Sequence, residues 1–349
     1  MLPYMFVYFV SLIPLLTYAF DKNLTKIFSV LAIITLCLFS GLRNHVGFDY
    51  QTYSIYFDEI FRGNDVYFEK GFHLLVEFLG YLWPESQFVF FIVSLITTLF
   101  FYFAIKKYSL SYPLSLFIFV SAPFLFMATF NQIRQFLVCA LFIYFVDLII
   151  KKGKLKLILW IALLSLFHKT AFLYLPLILF GGKRYSIIYY AIGLFLIAYL
   201  SKYASVLVQL LGFSSVYLMD SSSSSDAVGI NFFLFVVIFI IFFMFLAKNN
   251  EDKNNNINNV FLNMVYCCVC ILIVPGFVSG IDPTEIIRLL GLFSISLCFV
   301  FPYIISKFKS ESFFKMCALF SVFLIFSTYY IITLYFNGER YMLIPYSIW

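Results

Sequence analysis

Long uncharged apolar runs recur along the whole sequence, and they constrain the fold more than any other feature. Apolar residues make up 63% of the 349 residues, whereas charged residues make up only 11%. A soluble domain has no use for so much apolar surface, while a helix that spans a bilayer needs roughly twenty consecutive apolar residues. The runs are continuous and do not alternate, which excludes the strands of an outer-membrane barrel. The sequence therefore predicts an all-α polytopic integral membrane protein.

We predict about 12 transmembrane or re-entrant helices in a single polytopic membrane domain that covers residues 1–349. Its N-terminal half, 1–247, and its C-terminal half, 260–349, are expected to be joined by a cytoplasmic hinge loop at 248–259, which is rich in asparagine. The apolar runs lie near residues 3–20, 27–40, 88–105, 114–130, 133–150, 157–167, 170–181, 186–200, 230–247, 260–278, 287–305 and 316–336.

Lysines and arginines indicate the orientation, because cytoplasmic loops carry an excess of them. Placing lysine-rich loops such as 151–156 and 248–253 inside puts residues 41–87 in an extracytoplasmic loop. The two apolar runs within 157–181 are too short for ordinary spans, so we expect a short or re-entrant hairpin there. The net charge of +6 lies in short loops and forms no continuous basic face, which argues against a nucleic-acid partner.

The outer loop begins with a dense polar stretch, GLRNHVGFDYQTYSIYF, directly after an apolar span. In so apolar a chain, this stretch predicts part of a sugar-phosphate site. Asp49 is a candidate general base, although it could instead pair with Arg43 and only fix the loop. Tyrosines such as Tyr56 could belong to an interfacial aromatic belt. The candidate substrate-binding residues in this stretch are Arg43, His45, Tyr50 and Tyr53.

The second half of the outer loop has apolar residues at helical spacing. This pattern predicts an amphipathic helix that lies on the outer membrane interface. The apolar positions are Phe72, Leu75, Val76, Phe78, Leu79 and Leu82.

Three inward-running helices are expected to begin at the outer face, near Arg134, His168 and Arg288. Helix N-termini favour anions, and the planar fork of arginine matches phosphate oxygens better than lysine does. We therefore predict that Arg134 and Arg288, together with Arg43, bind a diphosphate. The competing interpretation is that these arginines snorkel to lipid headgroups. Glu285 is expected to cap the helix of Arg288 and to steady that arginine.

His168 competes with Asp49 as the candidate catalytic base. A histidine can take a proton from a sugar hydroxyl near neutral pH, but at a hairpin turn it could equally satisfy a neighbouring backbone group. No histidines, cysteines and carboxylates have the spacing of metal ligands. No metal and no cofactor are therefore predicted.

These polar residues, in this order, resemble a known family. The segments GLR-x₃-G-x-DY-x₂-Y, FN-x-IRQ, FHKTAF, IIRLLGLF and a terminal Pro345-Tyr346 are similar to those of the EpsG-like, Wzy-type polysaccharide polymerases. Gln135 joins the substrate-binding candidates through this resemblance alone. The matching positions are Arg43, Asp49, Tyr50, Arg134, Gln135, His168 and Arg288.

The resemblance implies a glycosyltransferase that polymerises lipid-linked repeat units for capsule, exopolysaccharide or O-antigen. It would act at the outer face of the bacterial cytoplasmic (inner) membrane, with undecaprenyl-diphosphate-linked oligosaccharides as donor and acceptor. Membrane lipid, a chain-length regulator and a flippase are the other candidate partners. The alternatives are a multi-span lipid-linked-sugar glycosyltransferase, a polysaccharide flippase or transporter, and a membrane O-acyltransferase.

Overall fold

The structure, a computed structural model, describes residues 1–150, 154–201, 257–273, 283–309 and 312–349. Short 3₁₀ helices lie at Met127–Phe130, Val146–Ile149 and Lys169–Tyr174. Within the described ranges the α-helices are α1 (Leu2–Thr17), α2 (Lys22–Gly41), α3 (Tyr50–Phe61), α4 (Lys70–Leu82), α5 (Ser86–Tyr108), α6 (Tyr112–Ser121), α7 (Ile133–Tyr144), α8 (Lys154–Ser165), α9 (Leu177–Phe180), α10 (Ile187–Ser201), α11 (Ile257–Ile273), α12 (Pro283–Ser294), α13 (Leu297–Ser306) and α14 (Phe313–Asn337).

Four segments of the described chain are long and apolar enough to cross a membrane. The all-helical class is confirmed for the described residues, whereas the number of about 12 spans is not confirmed. The predicted span at 230–247 and most of the hinge loop, 248–256, lie outside the described residues. The four segments are Lys22–Gly41, Ser86–Tyr108, Arg288–Ser306 and Phe313–Asn337.

Two predicted spans are interrupted. We expected one helix over 114–130, but α6 ends at Ser121 and Ala122 is extended, with φ −91° and ψ 104°. Pro123 explains this break, because the residue before a proline is pushed out of the helical region. The predicted span 287–305 likewise divides into α12 and α13. Residues 157–181 form only α8, a 3₁₀ helix and the four-residue α9, in keeping with the expected short segments.

The first of two compact units comprises Met1–Ile178 and Leu297–Trp349. In it, α5 packs against α2 and α7, while α6 packs against α1, α13 and α14. This unit contains residues 41–87, the predicted extracytoplasmic loop that we continue to call the outer loop, and the residues from Arg134 to His168. It therefore contains most of the predicted site.

The outer loop holds two helices that pack on α5. The predicted amphipathic helix is α4, which buries Phe72, Val76 and Leu79 beside Phe57 of α3 and Phe90 of α5. The buried positions of α4 recur every three or four residues, as one helix face requires. The helix α3 was not predicted. Together α3 and α4 form a packed platform at the end of α5.

The second unit, Leu179–Ser296, includes α10, α11 and α12. Buried polar side chains join α10 and α11: the Tyr190 hydroxyl donates to Asn263 at 2.6 Å, and the Tyr266 hydroxyl donates to the Tyr190 carbonyl at 3.0 Å. These bonds satisfy polar groups that would otherwise be costly among apolar helices. The prediction of one domain with halves divided at 248–259 stays a prediction.

Candidate functional site

Glu69, directly before α4, lies at the centre of a partly exposed polar cluster. Its Oε2 accepts a hydrogen bond from Nη1 of Arg134 at 2.5 Å, and its Oε1 lies 2.9 Å from Nδ1 of His168. The exposed fractions are 19% for Arg134, 11% for Glu69 and 21% for His168. One carboxylate thus holds a guanidinium and an imidazole side by side, within reach of solvent. We call Tyr53, Phe68, Glu69, Arg134 and His168 the Glu69 cluster.

Arg134 is fixed by aromatic residues as well as by charge. Its guanidinium carbon lies 4.5 Å from the centre of the Phe68 ring, and its Nε donates to the Tyr53 hydroxyl at 3.3 Å. A cation stacked on an aromatic face and bonded at two nitrogens has little rotational freedom left. Arg134 is the second residue of α7, so it also stands beside the positive end of that helix.

The backbone holds the two halves of the cluster together. The carbonyl of Leu166 accepts from the amides of Gly71 at 2.8 Å and Phe72 at 3.3 Å, while Oε1 of Glu69 accepts from the amide of Lys169 at 3.1 Å. The Leu166 carbonyl thus satisfies N–H groups at the start of α4, and Glu69 satisfies an N–H group at the start of the 3₁₀ helix after His168. Such N–H groups have no partner within their own helix. A Cβ at Gly71 would lie 2.8 Å from the Leu166 oxygen, so only glycine fits this approach.

Glu69 remains ionised over the physiological pH range. Burial by itself raises the pKa of its carboxyl, but the hydrogen bond from His168 and the charge of Arg134 outweigh that effect and lower the pKa to about 2. An ionised carboxylate can only accept hydrogen bonds. The group that faces it on His168 must therefore be an N–H donor.

Gln87 organises a second polar network at the start of the outer loop. Its Nε2 donates to the carbonyls of Gly41 at 2.7 Å and Arg43 at 3.1 Å, and its Oε1 accepts from the Tyr50 hydroxyl at 2.6 Å. Tyr50 is buried and stacks on Phe90, with ring centres 4.3 Å apart. The predicted sugar-binding residue Tyr50 thus makes contacts that order the loop.

Arg43 is fully buried in this network. Its guanidinium donates to the Ser40 carbonyl, to Ser94 Oγ at 2.9 Å and to the Phe130 carbonyl at 3.3 Å. It also lies 4.8 Å from the centre of the Phe130 ring. Burial lowers the pKa of Arg43 to about 10, so the group stays protonated at neutral pH. These contacts favour a role in joining α2, α5 and the segment before α7, and its predicted role in phosphate binding stays a prediction.

The C-terminal segment closes over the same loop. The Gly47 amide donates to the Met342 carbonyl at 2.8 Å, and the Asn44 amide donates to the Ser347 carbonyl at 2.9 Å. The Tyr346 ring stacks on Phe39 with centres 4.1 Å apart. Gly47 has φ +105°, and a Cβ there would lie 2.8 Å from Oδ1 of Asn131. The segments GLR-x₃-G, FN-x-IRQ and Pro345-Tyr346 are therefore neighbours in the structure.

One family profile covers nearly the whole sequence: that of the EpsG family matches residues 4–348. The chain belongs to the EpsG family. EpsG is a Wzy-like polymerase family, so membership indicates a polysaccharide polymerase-type role for this membrane protein. Searches of characterised proteins and of solved structures found no match to the chain.

The structure of this EpsG protein sorts the predicted site residues into groups. It brings Arg134, His168 and Tyr53 together around Glu69, and it places Arg43 and Tyr50 in the Gln87 network. Within the first unit, the two groups are joined through α5 and the segment before α7.

The structure also gives the position of most of the remaining candidates. His45 is exposed, with its ring 5.4 Å from that of Tyr50, and Asp49 is a half-buried residue directly before α3. Gln135 is buried on α7. Arg288 lies on α12 of the second unit, and the side chain of Glu285 lies outside the described residues. Their predicted roles stay predictions.

Glu69 is the charged site residue that the sequence analysis missed, and Phe68 and Gln87 were not predicted either. A partly buried arginine and histidine in an apolar chain require a carboxylate nearby, and that requirement was the available signal. The outer loop offers seven carboxylates for this role, so the requirement alone does not select one: Asp49, Asp58, Glu59, Asp65, Glu69, Glu77 and Glu85. Among the described residues, no three histidines, cysteines or carboxylates are grouped so that they could hold a metal ion.

Proposed function

We propose that this EpsG protein polymerises polysaccharide by transferring a growing glycan from undecaprenyl diphosphate to a new lipid-linked repeat unit at the outer face of the cytoplasmic membrane. The observation that carries this proposal is the Glu69 cluster. It places a cation that suits phosphate beside a group that suits proton transfer. Membership of a Wzy-like polymerase family supports the same reaction.

Arg134 is the proposed ligand of the diphosphate. Its Nη1 bonds to Glu69 and its Nε to Tyr53, while Nη2 makes no hydrogen bond within the described part of the chain. Two donors of Nη2 thus remain for phosphate oxygens, in an orientation that Phe68 and Glu69 hold fixed. A donor held in place before the reaction stabilises the charge that develops on the leaving group.

The charges around the cluster also favour an anionic substrate. Glu69 is the carboxylate of the cluster, and Arg134 balances its charge. Lys169 adds a further positive charge, because its exposed ammonium lies 5.8 Å from the Tyr67 ring next to the cluster. A diphosphate group would therefore approach a site of net positive charge.

His168 is the proposed general base. It takes the proton of the acceptor hydroxyl while the hydroxyl oxygen forms a bond to the anomeric carbon of the donor sugar. The bond between that carbon and the diphosphate oxygen breaks, and undecaprenyl diphosphate leaves with the electron pair. The resulting imidazolium is stabilised by the Glu69 carboxylate.

The experiment that tests this proposal is polymer length in cells whose only copy carries Arg134→Ala or Arg134→Lys, with membrane levels checked. Lysine keeps the positive charge for Glu69 but lacks the planar fork, so it tests phosphate binding with less risk to the fold. The matched control is Arg62→Ala, since the Arg62 side chain is 70% exposed and its ion pair with Glu59 lies at the surface.

We expect both Arg134 variants to lose long chains and to accumulate single lipid-linked repeats at the outer face, while the Arg62 variant makes normal polymer. Repeats trapped at the inner face would instead indicate a flippase. Normal polymer in both Arg134 variants would favour the competing interpretation, in which Arg134 only snorkels to lipid headgroups, and would reject the proposed site.

A further inference from the structure

We infer that Glu69 is a positioning residue that fixes the tautomer of His168, so that Nε2 is the atom that receives the acceptor proton. This inference rests on the proposed function. It selects His168 over Asp49 as the base, which the sequence left open. It also assigns a role to a residue that none of the sequence motifs contains.

The first step is the identity of the donor. Nδ1 of His168 lies 2.9 Å from Oε1 of Glu69, which is a hydrogen-bond distance. An ionised carboxylate has no hydrogen to give, so the hydrogen between them belongs to Nδ1. A neutral His168 with its hydrogen on Nδ1 carries its lone pair on Nε2. Glu69 thereby turns Nε2 into the basic atom.

The second step is the availability of Nε2. Within the described residues, Nε2 makes no hydrogen bond, and the His168 side chain is 21% exposed. A base must reach the proton that it removes, and a nitrogen already bonded to protein could not do so. The two ring nitrogens thus have separate tasks: Nδ1 is held by Glu69, and Nε2 faces no protein partner among these residues.

The third step is rigidity. Glu69 bonds to three donors at once: Nδ1 of His168, the Lys169 amide and Nη1 of Arg134. Because one of these is the backbone of the residue after His168, the carboxylate fixes the imidazole relative to its own main chain. The same carboxylate fixes the guanidinium that is proposed to bind diphosphate. Glu69 therefore sets the separation between the base and the phosphate ligand.

The test is the protonation pattern of His168 in the purified full-length protein, read from ¹⁵N chemical shifts of histidine-labelled samples at a pH where the ring is neutral. The His168 signals are assigned by their loss in His168→Gln. We expect the hydrogen on Nδ1 in the wild type and on Nε2 in Glu69→Ala, since neutral imidazole in water favours the Nε2–H form. The matched control is Glu59→Ala, which removes a surface carboxylate of the same loop and should leave the signals unchanged.

The second readout is long-chain polymer in cells. We expect a loss of roughly tenfold or more in Glu69→Ala, the scale of a misplaced general base, and a smaller loss in Glu69→Gln, whose amide oxygen can still accept from Nδ1. Glu59→Ala should make normal polymer. The wild-type spectrum tests the tautomer even if a Glu69 variant does not accumulate.

Each outcome separates the inference from the proposed function. A hydrogen on Nε2 in the wild type, or an unchanged tautomer in Glu69→Ala, would overturn the role of Glu69 without touching the polymerase proposal. A changed tautomer with normal polymer would show that the reaction does not use Nε2, and would overturn the assignment of the base. Loss of polymer in Arg134→Lys with a normal His168 spectrum would support the proposed function independently.

Discussion

Arg134 and Arg43 have the same side chain in opposite surroundings. Arg134 is partly exposed and bonds to a carboxylate and a tyrosine, whereas Arg43 is fully buried and bonds to Ser94 and to backbone carbonyls. A buried guanidinium whose donors reach three parts of the chain stabilises packing, while a partly exposed one can still meet a ligand. Both arginines follow or open an apolar span in the sequence, so only their contacts distinguish their roles.

The ionisation of Glu69 predicts how stability depends on pH. Its pKa falls from the usual 4.5 to about 2 in the folded protein, through His168 and Arg134 and against the effect of burial. A carboxyl with a depressed folded pKa stabilises the fold above its unfolded pKa, and this stabilisation is lost as the pH falls through the folded pKa. We expect the wild type to melt above Glu69→Gln at about pH 5, and by a shrinking margin as the pH falls below about 4.5.

Melting in detergent, followed by intrinsic fluorescence across that pH range, measures the margin. Glu59→Gln is the control, since Glu59 belongs to an exposed ion pair, and such pairs contribute little to stability. A margin between the wild type and Glu69→Gln that stayed constant down to pH 3 would contradict the depressed pKa.

At the scale of elements, the contact between the start of α4 and the turn after α8 sets the geometry of the Glu69 cluster. We predict that Gly71→Ala separates them, because its Cβ would lie 2.8 Å from the Leu166 oxygen and 2.9 Å from the Leu166 Cβ. Relieving this overlap requires a backbone shift that costs about 1–3 kcal/mol. The expected results are a lower melting temperature and shorter polymer chains.

Leu74→Ala is the matched control for this prediction. Leu74 lies on the same helix, but its side chain is 62% exposed and takes no part in the contact with Leu166. If Gly71→Ala produced the same polymer and melting temperature as Leu74→Ala, the close contact would not set the geometry of the cluster.

The sequence predicted elements well where one periodic pattern dominates. It located α2, α5 and α14 as spans and α4 as an amphipathic helix, because apolar spacing and length decide such segments. It missed the break at Ala122, although Pro123 was a visible signal. It also missed α3, because the buried face of α3 becomes evident only from its packing against α4 and α5.

The candidate site was predictable in its parts and not in its arrangement. Arg134 and His168 were selected because a polar side chain among apolar spans is costly and therefore indicates function. This argument applies to each residue separately and does not show which residues meet. Both pair with Glu69, which precedes Arg134 by 65 positions in the chain and His168 by 99. No local pattern encodes such a contact, and several acidic residues of the same loop would satisfy the same need for charge.

At the scale of the whole molecule, the end of the chain stabilises the beginning of the outer loop. Tyr346 stacks on Phe39 and donates to the Phe39 carbonyl at 2.6 Å. We predict that Tyr346→Phe, which keeps the stacked ring, costs about 1 kcal/mol of unfolding free energy. Tyr346→Ala, which also leaves a cavity, should cost about 3 kcal/mol. Melting temperatures in detergent would rank the three proteins, and equal destabilisation by both variants would show that the stack contributes nothing.

The orientation in the membrane gives the last prediction, since the proposed reaction requires the Glu69 cluster on the outer face. The lysines at the start of α8, Lys154 and Lys156, favour the cytoplasm. This predicts that Tyr67, which is 88% exposed and lies two residues before Glu69, faces the opposite side. In a variant whose seven native cysteines are replaced by alanine, Tyr67→Cys should react with a membrane-impermeant maleimide in intact cells. Lys154→Cys, also exposed, should react only after permeabilisation. The reverse pattern would place the Glu69 cluster in the cytoplasm, where no flipped lipid-linked repeat unit could reach it, and the polymerase mechanism would have to be abandoned.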